Sequence, residues 1–210
     1  MASDLILIPP SPAIIPGIGR GDEQGALLYQ RARAKLTELV TGKAASTRIV
    51  YRKCRRDFTR HTGSLQAWAP TSYRVSSGHY LPEIIARHLL PYEEASITHT
   101  SESIGPLCDG EVIILMLDGS AGMTERAPLS LLPQSSASDR WCLDLLQGRN
   151  FRRISYNFLL EAGVENPDLW LELANYRQEF LKSELIHVDS SLGVARYVAH
   201  INIRVDTALH

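Results

Sequence analysis

The sequence predicts an α/β protein, and three observations carry that prediction. The first is Val112–Leu117, a short unbroken apolar run that stops abruptly at Asp118-Gly119-Ser120-Ala121-Gly122. A run of that length predicts a strand buried on both faces, and strands covered on both faces occur mainly where helices flank a sheet. The second is a set of helical patterns on both sides of this strand in the sequence. The third is the alternation that closes the chain, Ala195, Tyr197, Ala199, Ile201, Ile203 and Val205 against Arg196, His200, Asn202 and Arg204, which describes a strand with one buried and one wetter face. Functional groups in α/β folds gather just beyond the carboxyl ends of strands, where the acidic, glycine-rich turn at Asp118 falls.

Taken in order, Leu5–Ile8 predicts a first strand running into Pro9-Pro10-Ser11-Pro12, a rigid turn that no helix should follow. Asp22 caps a helix over roughly Glu23–Val40, because Leu28, Ala32, Leu36 and Leu39 share a face and Gly42 supplies a stop. Arg48–Tyr51 predicts a second strand. Residues 57–79 are polar and give the least regular pattern in the chain. Leu81–Leu90 predicts a helix ended by Pro91, and Ile97–His99 a short strand before the one at 112–117. Trp141–Leu146 continues a helix that Ser138 or Asp139 can cap. Asn150 can cap another, on which Ile154, Phe158 and Leu159 share a face, with Gly163 as its stop. Asn166-Pro167 opens a third, since Pro is favoured at the first helical position.

Composition narrows the class. A chain of 210 residues with 44% apolar and 21% charged residues is ordinary for a globular protein, and no repeat or linker divides it, which predicts one domain. The net charge of −1 argues against a global nucleic-acid or membrane field. Cys54, Cys108 and Cys142 are odd in number and widely spaced, so they form neither a disulfide framework nor a metal knuckle, which fits a reducing cytoplasm. The stretch Leu5–Ile15 carries three prolines and makes a poor signal peptide. No stretch approaches the ~18–20 apolar residues of a membrane span.

Several constellations bear on chemistry. Ser120, Asp189 and His200 follow the Ser–Asp–His order of α/β-hydrolases. A nucleophile elbow, however, needs a small residue where Asp118 stands and a helix directly after the serine. The plainer reading has Gly119 and Gly122 allowing a tight turn while Ser120 bonds local backbone. As a phosphate cradle the turn lacks a P-loop lysine, and Asp118 repels an anion. Arg48, Arg52, Lys53, Arg55, Arg56 and Arg60, with Tyr51 and Phe58 interleaved, form the densest charge run. Such a run can hold single-stranded nucleic acid, whereas the plainer reading is a solvated edge strand and loop carrying charge against edge pairing. Seven histidines are scattered without the i, i+4 spacing of a zinc helix. His79 and His99 lie near predicted element ends in the half of the chain leading to Asp118.

Three blocks, LILIPPSPAIIPGI, LMLDGSAGMTERAPLSLL and SSLGVARYVAHINI, span most of the chain in order. They resemble actinobacterial proteins related to the catalytic B subunit of class III extradiol ring-cleavage dioxygenases, the LigB-like superfamily. The resemblance implies a single three-layer α/β/α domain around a mixed, mostly parallel sheet. It also implies a ferrous ion on two histidines and a glutamate, with a further histidine as acid and base. The relatives place the first ligand in a Pro-His-Pro triplet. Here the triplet is Pro10-Ser11-Pro12, and Ser11 is a poor substitute for imidazole on Fe(II). The remaining metal candidates are His79 and His99, with Glu102 or Glu111 as the carboxylate. The catalytic candidates are His79, Asp118 and Ser120.

Three functions stay open on the sequence. The favoured one is a divergent LigB-like member with a degenerate iron site that binds a small molecule or a partner without catalysis. The alternative is a dioxygenase-like or hydrolase-like enzyme using Fe(II) or another divalent metal on rebuilt ligands. The third is nucleic-acid binding through Arg48–Arg60.

Overall fold

The computed structural model describes residues 1–41, 46–70, 73–90, 97–150 and 152–205. The expected stops at Gly42 and Pro91 lie outside these. Among the described residues is one six-stranded mixed sheet: β1 (Ala2–Ile8), β2 (Thr47–Val50), β3 (Ile97–Ser101), β4 (Val112–Met116), β5 (Phe180–Asp189) and β6 (Arg196–Arg204), in the spatial order β3-β2-β4-β1-β6-β5. The pairs β3–β2, β2–β4 and β4–β1 are parallel, and β1–β6 and β6–β5 are antiparallel. β4 sits at the centre, so its apolar run has no wet side. Val112 through Leu117 are each at most 1% exposed.

Side-chain alternation divides the core in two. Ile6, Ile8, Ile114 and Met116 pack with α1 (Glu23–Val40) and α2 (Leu81–Leu89). Leu5, Leu7, Ile113 and Leu115 pack on the other face with α3 (Ser135–Leu146), α4 (Tyr156–Glu161) and α5 (Pro167–Asn175). Fully burying one such Leu or Ile contributes about 1.5–3 kcal/mol, so a strand buried on both faces anchors both clusters. The face of α1 that enters the core carries Leu28, Ala32, Leu36 and Leu39, as its spacing predicts. Asp22 caps it, accepting from the Gly25 N–H at 2.7 Å.

Local structure differs from the sequence reading in five places. A three-residue 3-10 turn, Pro12–Ile14, does follow the proline-rich corner, because Pro at its first position needs no N–H and Ser11 caps it. β2 lies inside the sheet between β3 and β4, not at an edge. α3 begins at Ser135, leaving Ser138 buried within the helix and Asp139 accepting from the Tyr197 hydroxyl. α4 is capped by Ser155, whose Oγ accepts from the Phe158 N–H at 3.1 Å, and not by Asn150. β5 has no counterpart in the sequence reading. Its register shifts at Phe180/Lys182 and at Leu185/His187, and such irregularities erase the period-two signature of a strand.

Candidate functional site

The connections fix where a site can form. β1 and β2 pass the chain to α1 and α2 on one face, whereas β4 passes it to α3 on the other. Adjacent parallel strands whose connections part in this way open a crevice beyond their carboxyl ends. A cavity of about 380 Å³ lies there. Pro10 after β1, Tyr51 after β2, Met116 at the end of β4 and Leu81-Pro82 at the start of α2 form its apolar wall. Arg52, Arg56, Asp57, Asp118, Glu165 and Asn166 form its polar wall. A larger hollow of about 700 Å³ lies at the opposite end of the sheet, beside the start of β5 and the end of α5. Phe151, within its 149–154 rim, is outside the described residues; the lining of this hollow carries Arg149, Arg153, Arg177 and Glu179, whose Oε2 also lacks a partner among the described residues.

Asp118 is the chemical centre of the crevice. Its backbone is tied down: the Trp170 indole N–H donates to its carbonyl at 2.8 Å, and the next N–H, of Gly119, donates to Ala195 at 2.8 Å. The turn that follows is stitched to Gly163, Leu129, Leu132 and Gly193 by backbone hydrogen bonds. Close packing is what demands the two glycines. A Cβ at Gly119 would lie 2.6 Å from the Tyr197 hydroxyl oxygen, and one at Gly122 would lie 2.6 Å from the Leu132 side chain. The residue keeps some surface, yet Asp118 Oδ1 is closed off from solvent and has no hydrogen-bond partner among the described residues. Burial therefore pushes this carboxyl up to about 7; Arg196 opposes the shift and Glu165 adds to it.

The arginines around the sheet meet their acids in different ways. Arg48, 3% exposed, fills its side-on fork: Nε donates to Glu111 Oε1 at 3.0 Å and Nη2 to Oε2 at 2.8 Å. Arg196 donates from both Nε and Nη2 to Asp189, and reaches Asp22 as well. Arg52 is only half engaged. Its Nη2 donates to Asp168, while its Nε, closed off from solvent, has no partner among the described residues. Arg56 pairs with Glu165 across the mouth of the same crevice. Tyr51 donates its hydroxyl to Glu83 at 3.1 Å, and Arg87 holds the other oxygen of that carboxylate. Burial, reinforced by the Glu83 charge, raises the Tyr51 phenol.

No protein-family model matches the chain, and no curated protein matches it.

The other sequence-derived candidates lie apart from this crevice. Ser120 is fully buried, its Oγ donating to the Ala162 carbonyl and accepting from the Gly122 N–H at 3.0 Å. Asp189 serves Arg196, and His200 pairs with Asp4 at 2.9 Å. His200 is five residues along β6 from Ala195, the partner of Ser120, or about 16 Å at strand rise. Ser11 Oγ accepts from the Ala13 N–H at 3.3 Å. His79 is exposed, stacks on Phe58 and uses Nδ1 on the Thr59 carbonyl. His99 is exposed on β3, and Glu102 accepts from the Lys53 N–H at 3.3 Å. Glu111 is spent on Arg48. Among the described residues no three His, Cys, Asp or Glu side chains gather as metal ligands. Ser11, His79, His99 and Glu102 thus do not fit an Fe(II) site as they stand.

Half of the basic run is committed within the fold, while Lys53, Arg55 and Arg60 are exposed. Arg48 is inside the protein, and Arg52 and Arg56 are paired with Asp168 and Glu165, 116 and 109 residues away. Those acids, with Asp57 and Asn166, are the site residues that sequence reading missed. The Asn166-Pro167 helix start was legible; that it faces Asp118 was not. Among the described residues, no helix is long and apolar enough to cross a membrane.

Proposed function

We propose that this chain binds a small organic molecule in the crevice beyond β1, β2 and β4, and that Asp118 is the group that trades a hydrogen bond, and near neutral pH a proton, with it. One observation carries the reading: Asp118, whose Oδ1 is closed off from water and has no partner among the described residues, lines a cavity at the switch point of the sheet. A carboxyl poised near 7 can accept or donate at the pH of most cells, as a binding group or as a general acid–base. The reading is in keeping with a divergent relative of the extradiol dioxygenases, in which the position of the first iron ligand, Ser11, caps a turn.

The chain has three methionines, Met1, Met116 and Met123, and Met116 lines the crevice. Methyl-labelled methionine therefore reports on it directly. In a screen of small molecules, binders should move the Met116 signal, leave Met1 still, and lose affinity on Asp118→Ala. Binders that leave Met116 unmoved and protect the larger hollow instead would overturn the proposal. Analysis for Fe, Mn and Zn in protein purified without a histidine tag tests the metalloenzyme alternative. Stoichiometric metal that disappears on His79→Ala or His99→Ala would replace the present reading with that one.

A further inference from the structure

The two cavities differ in the balance of their charges. In the crevice lining two arginines face three carboxyl groups, Asp57, Asp118 and Glu165. In the larger hollow, of about 700 Å³, three arginines, Arg149, Arg153 and Arg177, face one acid, Glu179. A smaller hollow of about 140 Å³ shares Trp141 and Ile154 with it, and adds Arg140 and Arg152 against Asp144. Five arginines to two acids is a strong local excess in a chain whose net charge is −1. On a convex surface water would dissipate that excess. Along a concave wall that also carries Trp141, Ile154 and Leu171, the field is focused and raises the local concentration of anions.

The arginines divide by use. Arg177, just past α5, donates from Nε to the Arg149 carbonyl at 3.2 Å and lies over the Phe180 ring, 5.6 Å from its centroid. It therefore joins the end of α5 to the segment after α3. The Trp141 indole N–H donates to the Arg152 carbonyl at 2.9 Å and ties the same segment back to α3. Arg149 and Arg153 hold nothing comparable together. Arg149 faces Asp144 at 3.6 Å with 65% of its side chain exposed, a pair that water screens. Arg153 is exposed and enters no ion pair among the described residues.

We infer that this hollow is a second binding site, separate from the crevice, and that it takes a small organic phosphate. Two positive charges remain once Glu179 is set against the three arginines of the lining, and a phosphate monoester carries about two negative ones. Guanidinium groups match phosphate oxygens bidentately. Arg149 and Arg153 supply them. No fixed separation between the two is required, because each is exposed and carries its guanidinium on a flexible stem. Ordering those stems costs side-chain entropy and keeps the affinity modest. The apolar body of the ligand lies against Trp141, Ile154 and Leu171. The hollow is well inside the size range of ligand pockets, roughly 300–1,000 Å³.

The test uses the full chain labelled with nitrogen-15 and its three tryptophans, Trp68, Trp141 and Trp170. Trp141 lines the hollow, whereas Trp68 packs on the other face of the sheet and serves as the control. Phenyl phosphate, benzoate and benzyl alcohol share a ring and carry about two, one and no negative charges. Phenyl phosphate should move the Trp141 indole signal, leave Trp68 still, and bind at about millimolar affinity. It should bind about tenfold more tightly than benzyl alcohol, with benzoate between them, and weaken as sodium chloride is added. Arg149→Met and Arg153→Met should each weaken it severalfold, and an unmoved Trp68 signal shows that each variant is folded. Benzyl alcohol or benzoate binding as tightly as phenyl phosphate, indifference to both variants, or no movement of Trp141 would each overturn the assignment. The crevice is read from uncharged molecules through Met116 and this hollow from anions through Trp141, so either proposal can fail alone. Phenyl phosphate that moves Met116 in place of Trp141 would overturn this one and leave the crevice standing as a site.

Discussion

β4 carries a buried acid at each end, and the two have opposite fates. Glu111, just before the strand, is 2% exposed and takes both tines of the Arg48 fork, while the same guanidinium also donates to the Ile104 and Pro106 carbonyls at 2.8 and 3.0 Å. Asp118, just after it, has an oxygen without a partner among the described residues, and burial pushes its carboxyl up to about 7. The strand between them is uniformly apolar, so burial alone does not separate them. The difference is whether the fold supplies a fixed cation. At the amino end the loop after β3 folds back over Arg48 and closes the pair. At the carboxyl end the connections diverge, a cavity opens, the arginines of its lining are committed to Asp168 and Glu165, and Arg196 is committed to Asp22 and Asp189. Around β4, then, the amino-end acid is saturated by a fixed cation, and the carboxyl-end acid, in the lining of the cavity, is not.

Breaking the saturated end should produce the largest effect. Arg48→Met leaves Glu111 buried with no countercharge and the two carbonyls without their donor. The cost should be about 3–5 kcal/mol, read from urea unfolding, since removing one partner strands the other charge out of water. A loss below about 1 kcal/mol would show that the pair is not what closes this end. The Met116 methyl signal should stay in place, because the crevice is at the other end of β4.

Asp118→Asn should act in the other direction. An acid whose folded pKa is raised from 3.8 to about 7 holds its proton more tightly in the folded chain than in the unfolded one. Its contribution to stability is present below about pH 4 and is lost as pH rises through about 7. At about 1.4 kcal/mol per unit the full penalty near pH 8 has a ceiling of about 4 kcal/mol, and relaxation around an ionised carboxylate reduces it. The variant should therefore be about 1–3 kcal/mol more stable than the parent near pH 8 and indistinguishable from it near pH 4. A variant less stable at both pH values would mean that Asp118 is a structural acid like Glu111.

How far these two ends were legible in the sequence follows from the range of the interactions. The run Val112–Leu117, the cap at Asp22 and the turn at Asp118 are local signals, and the strand-end position of Asp118 follows from them. Arg48 and Glu111 are 63 residues apart, and nothing in either neighbourhood marks one as the partner of the other. Arg48 was consequently read as part of a solvated basic run. The acids that flank the crevice come from the start of α5, more than 100 residues from the arginines they hold. β5 escaped because its two register shifts break the alternation that betrayed β6. Local chemistry announced where the acidic strand-end turn lies; only the fold announced who stands opposite.

Ser120→Ala probes the turn itself, with a middling effect expected. The hydroxyl bridges the Gly122 N–H and the Ala162 carbonyl inside the protein, so its loss leaves two buried backbone groups short of a partner. A cost of about 1–2 kcal/mol in thermal or urea unfolding is expected. Binding in the crevice should change little, because Ser120 is fully buried and does not line it. Loss of binding with no loss of stability would move Ser120 into the site and revive a nucleophile reading of the turn.

The smallest effect should come from Arg56→Met at the crevice mouth. The Arg56 and Glu165 side chains are 59% and 46% exposed, so water screens both the pair and the consequence of breaking it. Exposed pairs of this kind contribute about 0–1 kcal/mol, and the difference from the parent should shrink further as salt is added. The crevice should respond more than the fold does. Freed from Arg56, the Glu165 charge bears fully on Asp118, which pushes its carboxyl further upward and shifts the pH at which binding changes in the same direction. A stability loss approaching that of Arg48→Met would erase the contrast between the two ends of β4. A small loss with a displaced pH midpoint would tie the charge at the mouth to the proton held within.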